Sequence, residues 1–269
     1  MVHREKVAAG RLRMDTGTLT PIVAAAVLAI YAALRMRWDW LGDYYPLLVR
    51  GLGMTVLLVV VTSSLGMLLA IPIGLVQVVG PKWLALPARA FCTVIRGTPL
   101  LLQLWLLYYG LGSLFPQFPW IRESGLWPIL RQAWPYALLG LTLSYAAYEG
   151  EVFRGAFKGV PKGQLDAARA YGMSGFLTFR RIWLPQAFRR AMPTLAGETI
   201  LQLKATPLVA TITVVDVYSV AAQVRQQTYL TYEPLLLICA IYIVLAVVIT
   251  RVFTRLSGKS RDNTAFRKT

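Results

Sequence analysis

The sequence predicts an all-α membrane protein with about six transmembrane helices and both termini in the cytoplasm. Three observations carry that prediction. Of 269 residues, 57% are hydrophobic and 15% charged, and mean hydropathy is positive, which places the chain among membrane proteins before any motif is read. Apolar runs that cross, or nearly cross, a hydrocarbon core of about 30 Å recur along it. The basic residues alternate between the segments joining those runs. With both ends inside, the inner segments hold 21 of the 28 Lys and Arg: Arg4, Lys6, Arg11 and Arg13; Lys82, Arg89 and Arg96; eight from Arg154 to Arg190; and six from Arg251 to Lys268. The outer segments hold six, Arg35, Arg37, Arg50, Arg122, Arg131 and Arg225, and Lys204 falls within a run. The positive-inside rule favours this orientation. It also explains the net charge of +16 better than a nucleic-acid partner does.

Residues 1–20 read as a cytoplasmic basic tail near anionic headgroups. Residues 21–49 follow as an extra N-terminal helix, Ile22 to Leu34, and an outer loop. A cleaved signal peptide is the rival reading, but Arg35-Met36-Arg37 lacks the small-residue cleavage pattern, so a retained helix is expected. The second span is Thr55 to Val79, where Gly66, Pro72 and Gly74 permit close helix packing and bending. Lys82, Arg89 and Arg96 then recur every seven residues among Trp83, Leu84, Leu86 and Phe91. That pattern suits an interfacial segment broken near Pro87, or a plain positive-inside flank. The third span is Thr98 to Phe115. The outer loop from Phe115 to Pro135 carries four prolines with Phe118, Trp120, Trp127 and Trp134, the composition of a structured cap with interfacial rings. Tyr136 to Tyr148, Ile200 to Val217 and Leu235 to Phe253 complete the spans, and residues 257–269 form a second basic tail.

Several chemistries are excluded. Cys92 and Cys239 both lie in apolar surroundings, so no disulfide framework is expected. The single histidine, His3, sits in the tail, which removes His-based metal sites and Ser-His or Cys-His catalysis. No GxxxxGK[ST] loop occurs, so the chain is no P-loop motor. The sequence offers no catalytic residue, cofactor site or metal site, and no internal repeat of the kind many secondary carriers show.

Between two apolar runs lies Val160 to Pro193, too polar to cross a bilayer. Pro161 suits a first helical turn, Gln164 to Tyr171 continue with good helix formers, and Gly172 suits a C-terminal cap. Asp166, Ala167 and Ala168 then present a small, flat surface, while Leu177, Ile182, Trp183 and Leu184 pack a second helix that Pro185 ends or kinks. The segment reads as a cytoplasmic docking knob for a soluble partner.

Ionisable groups at membrane depth need a partner or water. Glu151 and Arg154 are three apart and can form a helix-surface pair or flank a translocation path. Glu149 points to a different face. Glu198 precedes Lys204 by six residues, and Lys204 lies deeper, able to steer a charged ligand or to pair with an acid. Thr206-Pro207 breaks the helix beside it, either as a simple kink or as backbone lining a cavity. In the third span Gln103 adds an amide one turn beyond Gly97, Thr98 and Pro99.

The order Asp166-Ala167-Ala168, Gly172, Ile182-Trp183-Leu184-Pro185 resembles the coupling loop of bacterial ABC importer permeases, with Asp166 where that family usually has Glu. Arg96-Gly97-Thr98-Pro99-Leu100, Glu151 and Arg154 after Tyr148, and Lys204-Ala205-Thr206-Pro207-Leu208 resemble the polar amino acid branch, which includes histidine, arginine and opine systems. The resemblance covers roughly Leu52 to Leu256, with its motifs in order. It implies a five-helix type I importer core over residues 50–256, with a coupling loop at 160–193, in a multi-pass protein of the bacterial inner membrane. It implies a permease subunit of an ATP-driven importer for polar amino acids, with a basic amino acid or opine as cargo. Gln164, Asp166, Ala167, Ala168, Gly172, Ile182, Leu184 and Pro185 would dock a separate ATPase dimer, which binds the ATP and Mg. Arg96, Gly97, Thr98, Pro99, Gln103, Glu151, Lys204 and Thr206 would line the substrate path. A second permease, identical or homologous, and a periplasmic or surface solute-binding protein would complete the assembly. The alternative is an ion-gradient-driven secondary carrier using Glu149, Glu151 and Lys204 as coupling groups.

Overall fold

The computed structural model describes residues 34–265, with side chains to Leu256, and positions 23, 24, 27, 30 and 31 before them. The N-terminal tail and most of the predicted first span lie outside the described residues. The chain divides after Gly42. In the first unit the Trp40 indole donates to the Arg37 carbonyl at 3.1 Å, closing the turn that opens the first long helix.

All regular structure among the described residues is helical. Helix α1 spans Trp40–Val79, 40 residues, roughly 60 Å at the helical rise. The apolar run from Thr55 is therefore only its second part. Glycines set how closely α1 meets α6 (Trp134–Lys158). A Cβ on Gly66 would lie 2.7 Å from the Tyr145 ring, and one on Gly74 would lie 2.7 Å from Cβ of Phe153. Small residues let the two backbones approach as they do in membrane bundles generally.

Helix α2 (Lys82–Gly97) is continuous through Pro87, so of the two readings of this segment the one with a break there does not hold. The carbonyl that Pro87 deprives of a donor is that of Trp83, a residue 72% exposed. The chain then bends by 104° into α3 (Leu100–Trp105), which widens into π-helix over Leu106–Leu111 and ends in the turn Gly112–Leu114. The outer segment folds as a 3-10 turn, Phe115–Gln117, and two short helices, α4 (Pro119–Arg122) and α5 (Trp127–Leu130), each opened by a proline in its first turn.

Beyond α6, the knob begins with α7 (Lys162–Ala170). Helix α8 (Gly175–Thr178) passes through π-helical Phe179–Trp183 directly into α9 (Leu184–Ala205). Pro185 therefore does not end the second knob helix. It sits in the first turn of α9, and the wider π turn before it absorbs the hydrogen bond that proline cannot donate. The expected fifth span, Ile200 to Val217, is also displaced. Pro207 halts α9, Thr206–Ile212 form a 3-10 turn, Thr213 adopts φ +67°, and Asp216 caps a new helix, α10 (Val217–Thr228). The candidate span here is a bent pair, Gly175–Ile212 with Val217–Thr228, the two halves meeting at 53°. Helix α11 (Tyr232–Ala265) runs past the tail boundary expected at Ser257.

Two described helices, α1 and Tyr232–Leu256 of α11, are long and apolar enough to cross a membrane, or up to four spans if each bent pair counts as one. Among the described residues, two apolar clusters hold the bundle together. One joins α6 to α9 through Phe153, Phe157, Ala187, Ala191 and Leu195, with Phe179 and Trp183 packed against it from the knob. The other joins α1, α3, α6 and the 3-10 turn through Leu58, Leu104, Leu141, Val209 and Ile212.

Candidate functional site

The knob is built by two caps. Helix α7 ends on Gly172 at φ +76°, with the Gly172 N–H donating to the Arg169 carbonyl at 2.9 Å and the Met173 N–H to the Ala168 carbonyl at 3.0 Å. This is the paired hydrogen-bond pattern of a Schellman motif, which needs a left-handed residue where Gly172 stands. Helix α8 starts on Ser174, whose hydroxyl accepts from the Leu177 N–H at 3.3 Å. The knob is fastened to the bundle by Trp183. Its indole donates to the Phe157 carbonyl at 3.0 Å and meets the Phe157 ring edge-on at 5.4 Å.

Of the residues expected to dock a partner, Gln164, Asp166, Ala167, Gly172 and Pro185 are exposed, whereas Ile182 and Leu184 are half-buried and Ala168 is buried. The flat Asp-Ala-Ala surface is therefore narrower than expected, because Ala168 faces the knob's interior. Asp166 pairs with Arg169 at 3.2 Å. Two rings not foreseen from the sequence flank the cap: Tyr171 is 89% exposed and Phe176 72%. Their signal was available as large apolar side chains beside the turn glycine, where no core contact is required of them.

The residues expected along a path fall into three groups. Gly97, Thr98, Pro99 and Gln103 build the bend between α2 and α3. The Gln103 amide donates to the Ile95 carbonyl at 2.7 Å, the Thr98 carbonyl at 3.1 Å and the Thr98 hydroxyl at 2.9 Å. Gln103 therefore fastens the corner, and its amide is spent on it. Thr206 is also occupied, donating to the Leu203 carbonyl or sharing a hydrogen bond with the Tyr242 hydroxyl, each at 2.9 Å. Lys204 is exposed on the last turn of α9, with no acidic partner among the described residues.

Arg96, Glu151 and Arg154 come together. Arg154 donates twice to Glu151 Oε2, at 2.8 and 2.6 Å, and Arg96 stands 3.8 Å from the same oxygen. The Arg96 guanidinium lies 5.3 Å over the Tyr148 ring. Beyond Tyr148 opens a cavity of about 190 Å³ lined by Ser144, Tyr145, Tyr148, Glu198 and Gln202. Its polar wall is rigid: Gln202 donates to the Thr62 hydroxyl at 2.9 Å and the Leu141 carbonyl at 3.0 Å, and Tyr145 shares a hydrogen bond with Thr199 at 2.8 Å. Glu198 makes no such bond in this wall and is the cavity's acidic group. Its signal in the sequence was an acid in mid-helix, outweighed there by the apparent depth of Lys204. Glu149, wholly buried behind this wall, has both carboxyl oxygens without a hydrogen bond among the described residues. Asp216 is structural: its Oδ1 accepts from the Ser219 N–H at 2.9 Å and the Ser219 hydroxyl at 2.7 Å in a capping box. No cluster of three metal-ligating side chains occurs among the described residues.

Comparison with known proteins adds an independent line. The family described as binding-protein-dependent transport system inner membrane component matches residues 63–262. The chain is similar to the octopine transport system permease protein OccM of Rhizobium radiobacter, with 40% identity over 217 residues, 81% of this chain and 87% of that one. It is 34% identical over 217 residues to the arginine ABC transporter permease protein ArtM of Haemophilus influenzae, covering 81% and 93% of the two. Among solved structures it resembles the crystal structure of an amino acid ABC transporter with histidines, at 29% identity and a TM-score of 0.69, covering 83% of this chain and 99% of that one.

Proposed function

The chain belongs to the family of binding-protein-dependent transport system inner membrane components, and from that premise we propose that it forms half of the pathway of an importer for a cationic amino acid or an opine. It is a transport subunit, the permease component of an ABC importer. Its ATP and Mg are held by a separate pair of ATPase subunits. A second permease, identical or homologous, completes the pathway in the bacterial inner membrane, and a periplasmic or surface solute-binding protein delivers the cargo. Six spans with both termini inside agree with the charge asymmetry, the retained N-terminal helix adding to a five-helix core.

The observation that carries this reading is the linkage of knob to cavity. Helices α6 and α9 meet the knob through Phe157 and Trp183, and the same two helices carry Tyr148 and Glu198 on the cavity wall. A partner that moves the knob moves both helices as one body, because the aromatic cluster between them is closely packed. Alternating access then follows as a rigid-body rotation driven by closure of the ATPase pair. The cargo class rests on the carboxylate of Glu198 as a partner for a cationic side chain, and on relatives named for octopine and arginine.

Uptake by the reconstituted complex tests the cargo. Glu198→Gln is expected to lower ATP-dependent uptake of arginine or octopine at least tenfold while the complex still assembles, since a charge-assisted contact contributes about 1.5–3 kcal/mol. Unchanged uptake would remove Glu198 from the path.

A further inference from the structure

We propose that the basic pocket on the far side of Arg96 from Glu198 is a carboxylate subsite for the transported solute, an inference that rests on the amino acid reading above. The pocket is a concavity of about 360 Å³ whose lining includes Gln77, Arg89, Arg96, Glu151, Arg154 and Lys158. Four cations therefore face one carboxylate. Glu151 spends Oε2 on Arg154 and, at longer range, on Arg96. Arg89 donates only to the Gln77 carbonyl, at 3.2 Å, and neither it nor Lys158 has an acidic partner among the described residues. A recess with this excess of one sign concentrates oxyanions, and guanidinium groups suit a carboxylate.

Two further observations point to an amino acid rather than to any anion. Gln77 is 2% exposed, and its Oε1 has no hydrogen bond among the described residues although its amide nitrogen reaches Cys92 Sγ at 3.6 Å. Such an acceptor is costly to leave unmet. An ammonium group satisfies it, and a solute carrying both ammonium and carboxylate uses both kinds of group in the pocket. The pocket also adjoins the candidate path: Arg96 lines it and lies over the Tyr148 ring that borders the Glu198 cavity. A solute whose cationic end rests on Glu198 can pass its carboxylate from Arg96 to Arg89 and Lys158 on the inner side of the proposed topology.

The test compares L-arginine with L-argininamide, which keeps the cationic side chain and loses the carboxylate. Binding of each is measured to the assembled permease and ATPase subunits in nanodiscs, without ATP and without the solute-binding protein. For the wild type, argininamide is expected to bind roughly tenfold more weakly, the loss of one charge-assisted contact. In Arg89→Gln/Lys158→Gln, arginine falls to the level of argininamide, argininamide itself is unmoved, and Arg89→Lys/Lys158→Arg restores the difference. An amide penalty that persists in the Gln double variant overturns the proposal. So does an effect that appears only with phosphatidylglycerol in the discs and not with phosphatidylcholine alone, which assigns the pocket to a lipid phosphate. Failure of the wild type to bind arginine, argininamide or octopine overturns the cargo reading itself, and the subsite with it.

Discussion

Gly172 is the residue on which the docking knob turns. At φ +76° any side chain with a Cβ costs about 1–2 kcal/mol. No heavy atom lies within 4 Å of a Cβ built there, so the penalty is one of backbone strain and not of crowding. Gly172→Arg is expected to leave membrane insertion unchanged and to abolish recovery of the ATPase in a pull-down. Normal recovery would show that the cap is not part of the docking surface. Trp183 acts on the other side of the knob. Trp183→Phe keeps the ring beside Phe157 but removes the indole donor, a loss of about 1 kcal/mol. The expected result is looser coupling: more ATP hydrolysed per solute moved, with the complex still assembled. A fall in both activities together would contradict that assignment.

Helix contacts set a second kind of prediction. Gly74 lets α1 lie against α6, and a Cβ there would meet Phe153 Cβ at 2.7 Å and the Arg154 backbone nitrogen at 2.9 Å. Gly74→Leu should cost about 1–3 kcal/mol through overpacking, read as a lower unfolding temperature in detergent, whereas Gly53→Leu, with open space around it, should not. At this scale the sequence was legible where one physical signal dominated. The Thr55 to Val79 run, the Tyr136 to Tyr148 run and the capping glycine all lie within, or end, helices as hydropathy and turn chemistry require. Proline was an uneven cue: Pro207 halts α9 as its sequence suggests, whereas Pro87 and Pro185 do not end a helix. A break near Pro87 is one of two readings of its segment, and Pro185 reads as ending or kinking a helix; in the structure Pro87 is accommodated within α2 and Pro185 opens α9 behind a π turn. Hydropathy also merged the end of α9, the 3-10 turn and Asp216 into one run, because each is apolar on average and only the local hydrogen bonding separates them. The site followed the same rule: Arg96, Glu151 and Arg154 were visible as charges at membrane depth, but only the fold shows that Gln103 and Thr206 spend their polar groups on corners and that Glu198 reaches a cavity.

For the molecule as a whole, two long helices carry the knob at one end and the cavity wall along their length, so force applied outside the bilayer reaches a solute within it. That arrangement is what an externally driven permease requires, and it gives the gradient-driven alternative no comparable support. Lys204, one of the coupling groups that alternative needs, is exposed on the last turn of α9, apart from the Glu151 cluster. The most direct measurement is solute accumulation in proteoliposomes holding this chain with its partner permease and ATPase subunits. Uptake that needs internal or external ATP together with the solute-binding protein, and that ionophores leave intact, is the predicted result. Uptake by this chain alone, driven by an imposed proton or sodium gradient without ATP, would contradict the account.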